Sequence, residues 1–144
     1  MSRIEKAVST FQKDYSCSQS VFSAFAEDFG IDYETALKVA GGFGGGMGRM
    51  GEVCGAVSGA VMVIGLKNSE GKAETVESKA RTYEIVRDFI ARFKSRNENV
   101  RCNDLLGVDI STQEGHEEAL SQGLFKTRCK QYVRDAAEIL EEML

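Results

Sequence analysis

Four cysteines, Cys17, Cys54, Cys102 and Cys129, are the residues of this 144-residue chain best equipped for chemistry. As thiolates they can ligate soft metals, hold an iron–sulfur cluster or attack a disulfide. No two stand as a CxxC pair, so neither a thioredoxin-type dithiol nor a zinc ribbon is written in the spacing. They must be gathered by tertiary structure if they act together. A chain of this length buries enough apolar surface to fold without a metal or disulfides, so the cysteines are not needed as staples.

A second concentration of unusual residues runs from Gly41 to Leu66, GGFGGGMGRMGEVCGAVSGAVMVIGL, which holds ten of the fifteen glycines and only two charges, Arg49 and Glu52. Gly45, Gly46, Gly48 and Gly51, with Arg49, are candidates for cradling a cofactor, because consecutive backbone N–H groups in flexible turns form nests for anions or cluster sulfurs. The same loop read without function is a hinge between helices. Met47 and Met50 are soft enough to ligate, although methionine beside a buried helix is more often core filler. Gly55 and Gly59, four apart, share a helix face and with Ala56 and Ala60 admit a second helix or a cofactor to close range. His116, the only histidine, sits in a polar segment and is a weak candidate for catalysis or ligation.

The elements that must position these residues read as helices. There is no proline, and apolar residues recur at helical spacing in almost every segment. The expectation is an all-α, single-domain bundle over residues 1–144, with about six helices around a buried Gly/Ala-rich central helix from Val53 to Leu66. Residues 2–13 form a first helix. Ser16 and Gln19 make a capping box for a second running from Cys17 to about Phe29, ended by Gly30. Asp32 caps a third through Ala40, with Tyr33, Ala36 and Leu37 inward. Val53 to Leu66 has no polar face and is expected to be buried all round. From Ala73 to about Arg96 lies a long amphipathic helix with Val76, Ala80, Tyr83, Val86, Ile90 and Phe93 inward. Cys102 opens a single turn closed by Gly107, a short helix is expected near His116 to Leu120, and Thr127 is taken as the N-cap of the last helix.

On this reading all four cysteines fall in first helical turns, where unpaired N–H groups and the helix dipole favour thiolate over thiol. Cys54, between the glycine loop and the central helix, is the candidate nucleophile. The order of residues then carries a resemblance. Cys17, Gly51-Glu52-Val53-Cys54-Gly55-Ala56-Val57-Ser58-Gly59, Cys102 with Asp104-Leu105-Leu106-Gly107, and Cys129 span nearly the whole chain. This pattern resembles the C_GCAxxG_C_C family of redox-active proteins, here in the order Cys54-Gly55-Ala56-x-x-Gly59. The resemblance implies a small helical protein defined by its four cysteines, with a bound prosthetic group such as an iron–sulfur cluster; it supplies no reaction or substrate. Some members carry a twin-arginine leader, and no such leader is read here.

Three functions follow as expectations. The first is a redox protein in which Cys17, Cys54, Cys102 and Cys129 ligate an iron–sulfur cluster, or alternatively zinc, for electron transfer with a partner protein. The second is thiol–disulfide exchange led by Cys54. The third is a helical interaction module with inert cysteines and no cofactor. A net charge of −4 without basic blocks argues against nucleic acid. The apolar run is too short to span a membrane, and the amino terminus shows no secretory pattern, so a cytoplasmic protein is expected. A homodimer with the cysteines divided between subunits is left open.

Overall fold

Gly55 and Gly59 bring two helices into contact closer than side chains normally allow. A computed structural model describes residues 1–144. It contains α1 (Arg3–Gln12), α2 (Cys17–Ala26), α3 (Tyr33–Val39), α4 (Gly55–Asn68), α5 (Val76–Asn97), α6 (Cys102–Leu106), α7 (Gln113–Ser121) and α8 (Leu124–Met143), joined by short connections except for the long loop 40–54 between α3 and α4. A Cβ placed on Gly59 would stand 2.9 Å from the Ser18 carbonyl oxygen of α2, and one on Gly55 would stand 2.9 Å from the Ser18 nitrogen. Ser18 fits this seam because its hydroxyl, fully buried, donates to the Ala40 carbonyl. α2 and α4 are therefore the axis of an all-α bundle, with α1 packed on α2, α5 on α4, and α8 against α1, α2, α4 and α5.

The core fills around that axis. Val21 and Phe25 of α2, Val57 and Val63 of α4, Phe89 and Phe93 of α5, and Val133 and Leu140 of α8 belong to one buried cluster. Burying a side chain such as Phe89, which is fully enclosed, contributes roughly 1.5–3 kcal/mol. Polar straps close the outside: Arg3 pairs with Glu141, Arg134 with Glu5, and Arg96 reaches across from α5 to Asp135 and Glu138 of α8. No helix is long and apolar enough to cross a membrane.

Several local expectations hold for local reasons. The Ser16–Gln19 capping box is formed, the Asp32 side chain accepts from the Thr35 amide, and Gly30 ends its turn at φ 86°. Others are corrected. The central helix starts at Gly55 rather than Val53, because Val53 pairs instead with Arg101 in an isolated antiparallel bridge. It is not buried all round: Val61, Met62 and Leu66 remain half-buried on its outer side. On α5 the inward line is Ser78, Phe89 and Phe93, while Val76 and Tyr83 face outward at 75% and 57% exposure. Tyr33 is at the surface with its hydroxyl 3.0 Å from that of Thr10. Met47 and Met50 are exposed and fill no core. Finally, α8 begins three residues before Thr127, after Gly123 in the left-handed region, and the Thr127 hydroxyl donates back to the Gly123 carbonyl. Cys129 therefore lies in the second turn of its helix, not the first.

Candidate functional site

One end of the bundle is organised by the loop between α3 and α4. Residues 45 to 49 all have positive φ: Gly45 63°, Gly46 69°, Met47 71°, Gly48 59° and Arg49 62°. A left-handed run of this length is open to glycine, whereas Met47 and Arg49 each cost about 1–2 kcal/mol there. The run is wound tight by its own bonds, with the Gly48 amide donating to Gly42, Arg49 to Gly44, Gly51 to Gly45 and Glu52 to Gly46. The amides of Gly44, Gly45 and Gly46 donate to nothing in the chain. Sparsely populated backbone held by surrounding bonds is a mark of functional sites.

The exit of this loop is stitched to the segment before α6. The Cys54 amide donates to the Val100 carbonyl, the Cys102 amide to the Glu52 carbonyl and the Asn103 amide to the Gly51 carbonyl. Those three bonds set Cys54 and Cys102 side by side at the starts of α4 and α6. Gly46 closes over the second of them: a Cβ there would lie 2.8 Å from the Cys102 Cβ. Cys17 opens α2, and a Cβ on Gly55 would lie 3.2 Å from its Cβ. α8 brings Cys129 from the opposite wall, and its Tyr132 hydroxyl and Arg128 guanidinium donate to the Leu105 and Leu106 carbonyls, which hold α6 against α8.

All four cysteines line a single cavity of about 810 Å³, together with Gly45, Gly46, Arg49 and Gly55. Gly48 lies outside it on the solvent side of the loop, Gly51 packs on the Asn103 side chain, and Gly59 serves the α2–α4 seam. His116, weak on sequence grounds, does line the cavity, packed with its ring 5.4 Å from that of Phe125. Sequence reasoning also missed Phe11, Lys126, Lys130 and Tyr132 on the walls. For the two lysines the only signal was spacing on α8, where Lys126, Lys130 and Cys129 lie within about one turn of each other.

The four thiols are free, and their electrostatics differ from what helix ends alone would produce. Burial pushes the Cys54 thiol up to about 12, overcoming the downward pull of the Ala56 and Val57 amides at the start of α4. Cys102 is also pushed up to about 12, by burial and by the neighbouring Cys54 and Cys129, against the weaker pull of Arg101. Desolvation of a thiolate thus outweighs the helix terminus here. Cys17 and Cys129 influence one another: Cys129 and burial raise Cys17 well above the ordinary value, while Cys17 lowers Cys129 against burial. The acidic thiol is Cys129, in place of Cys54.

A site of four thiols at the motif positions decides the family. The family model described as putative redox-active protein (C_GCAxxG_C_C) matches residues 15–143. The chain belongs to the C_GCAxxG_C_C family. No curated protein and no solved structure matches it significantly. Of the motif residues, the four cysteines and Gly55 line the cavity, Ala56 is buried in the core, and Gly59 lets α4 approach α2 closely.

Proposed function

We propose that this C_GCAxxG_C_C protein carries out electron transfer through an iron–sulfur cluster held by Cys17, Cys54, Cys102 and Cys129, in exchange with a redox partner protein. The observation that carries the reading is the enclosure of all four sulfurs in one cavity. Thiolates are soft donors, and a Cys₄ set suits iron–sulfur clusters and zinc alike. A mononuclear zinc site would require four sulfurs about 2.3 Å from one point. As the side chains stand, no three of them converge on one ion position. The unpaired amides of Gly45 and Gly46 and the nearby Arg49 suit the negative charge of such a cluster. When bound, the cluster supplies one-electron transfer. The chain's own residues release thiol protons on loading, exclude bulk water with Leu105 and Leu106, and orient the sulfurs through the 51–54 to 100–103 backbone bonds.

A second reading rests on Cys17 and Cys129 lining the same cavity with their thiols shifted in opposite directions. A lowered thiol beside a protonated one is the arrangement of an attacking and a resolving cysteine in disulfide exchange. Purification under anaerobic conditions separates the two. A brown protein with broad visible absorption supports the cluster; a colourless protein that forms a Cys17–Cys129 disulfide under mild oxidant supports exchange.

A further inference from the structure

The cavity is larger and less uniform than four sulfurs and a small cluster require. At about 810 Å³ it falls within the range of sites that enclose small organic molecules, roughly 300–1,000 Å³. Cys17, Cys54 and Cys102 occupy the inner wall formed by the starts of α2, α4 and α6, and Cys129 faces them from α8. The outer wall comes from α1, α7 and α8, where Phe11, His116, Leu120 and Phe125 supply apolar and aromatic surface. No redox role is evident for that second wall.

Its charges are nearly all of one sign. The chain is acidic overall, and Arg3, Arg92, Arg96, Arg101 and Arg134 are each paired with carboxylates. Arg49, Lys126 and Lys130, which line the cavity, form no ion pair with the chain. Lys126 and Lys130 are one helical turn apart on α8 and flank Cys129, and Arg49 reaches in from the left-handed loop. Asp14, at φ 72° in the α1–α2 turn, is the one carboxylate on the lining. Three unpaired cations against one acid, beside unbonded amides at Gly45 and Gly46, make a positive mouth on an aromatic-lined chamber.

We infer that the outer half of this cavity binds a small organic anion, a carboxylate- or phosphate-bearing molecule with an apolar or ring-containing body. The oxyanion lies at Lys126 and Lys130, and the body lies on Phe11, Leu120 and Phe125, against the sulfurs. The inference goes beyond the cluster reading and rests on it only in making this ligand the molecule that meets the redox centre.

Two fluorescent probes of the same shape test it: anilinonaphthalene sulfonate, which carries an anionic head, and the uncharged N-phenylnaphthylamine. The sulfonate is expected to saturate at one molecule per chain and to bind more tightly than the neutral probe. The double variant K126Q/K130Q should weaken the sulfonate about tenfold, the scale of losing one charge-assisted hydrogen bond, and leave the neutral probe unchanged. F125A should weaken both. Lys126 is exposed and Lys130 half-buried, so the double variant keeps its fold, checked by an unchanged melting temperature. Equal affinities for the two probes, or a sulfonate affinity indifferent to K126Q/K130Q, would overturn the inference. The visible spectrum of the same samples reports the cluster independently, so loss of one reading is not mistaken for loss of the other.

Discussion

Alanine at Gly46 and alanine at Gly48 should differ sharply, although the residues are two apart in the same loop. Both have positive φ, 69° and 59°, and a Cβ in that region costs about 1–2 kcal/mol in either place. At Gly48 that is the whole effect, because no atom lies within 4 Å of where the Cβ would be. At Gly46 the Cβ would stand 2.6 Å from the Glu52 nitrogen and 2.8 Å from both the Gly51 carbonyl carbon and the Cys102 Cβ. Two of those three are backbone and cannot swing aside. Overpacking of this kind adds about 1–3 kcal/mol, giving roughly 2–5 kcal/mol for G46A against about 1–2 for G48A. With roughly 2–4 °C per kcal/mol for a chain of this size, G46A should melt about 10 °C below the parent and G48A about 4 °C below. The strain in G46A also pushes Cys102 off its wall, so G46A should lose iron on reconstitution with iron and sulfide while G48A retains it. Equal melting losses with equal iron content would refute the claim that this loop closes over the cysteines.

Three further outcomes follow from the same structure. G59L should destabilise by at least about 3 kcal/mol, since overpacking alone reaches about 1–3 and even a Cβ there would stand 2.9 Å from the Ser18 carbonyl oxygen; an unchanged melting temperature would contradict the α2–α4 seam. In the cofactor-free protein, Cys54 and Cys102 keep their protons up to about pH 12 while the unfolded chain gives them up near 9. The folded state then binds more protons, so stability should be level below pH 9 and fall between pH 9 and 12, and urea titrations that rise over that window would contradict the burial argument. Iodoacetamide near neutral pH should label Cys129 first and Cys54 and Cys102 last, read by peptide mass spectrometry; Cys54 labelling first would reverse the assignment of the acidic thiol.

Capping residues were legible because their chemistry is local. Ser16, Asp32 and Gly30 act on amides and dihedrals within a few residues, and each does what its type dictates. Thr127 was misread because Gly123, four residues earlier, can turn the chain into a helix through a left-handed φ without any capping side chain. The face of α5 was misread because the pattern admits two lines. Ser78 looks polar and outward, yet it is buried, donating to Glu74 and locked in a capping box with Thr75, so Val76 and Tyr83 are turned to solvent. The order of the cysteines disclosed the family, but the electrostatic ranking of the thiols was not legible. It depends on burial and on the mutual influence of Cys17 and Cys129, which are products of packing between α2 and α8 rather than of helix position. His116 was obscured by polar neighbours, since a short helix such as α7 can present one inward face amid a charged surface.

The central claim is that the four sulfurs serve one redox group. Its most direct test is iron and acid-labile sulfide per chain in anaerobically purified protein, measured for the parent and for C17S, C54S, C102S and C129S. The account predicts iron and sulfide together with broad visible absorption in the parent, and loss or sharp depletion of both in every one of the four variants. Parent protein that stays free of iron and colourless after anaerobic reconstitution with iron and sulfide would contradict it.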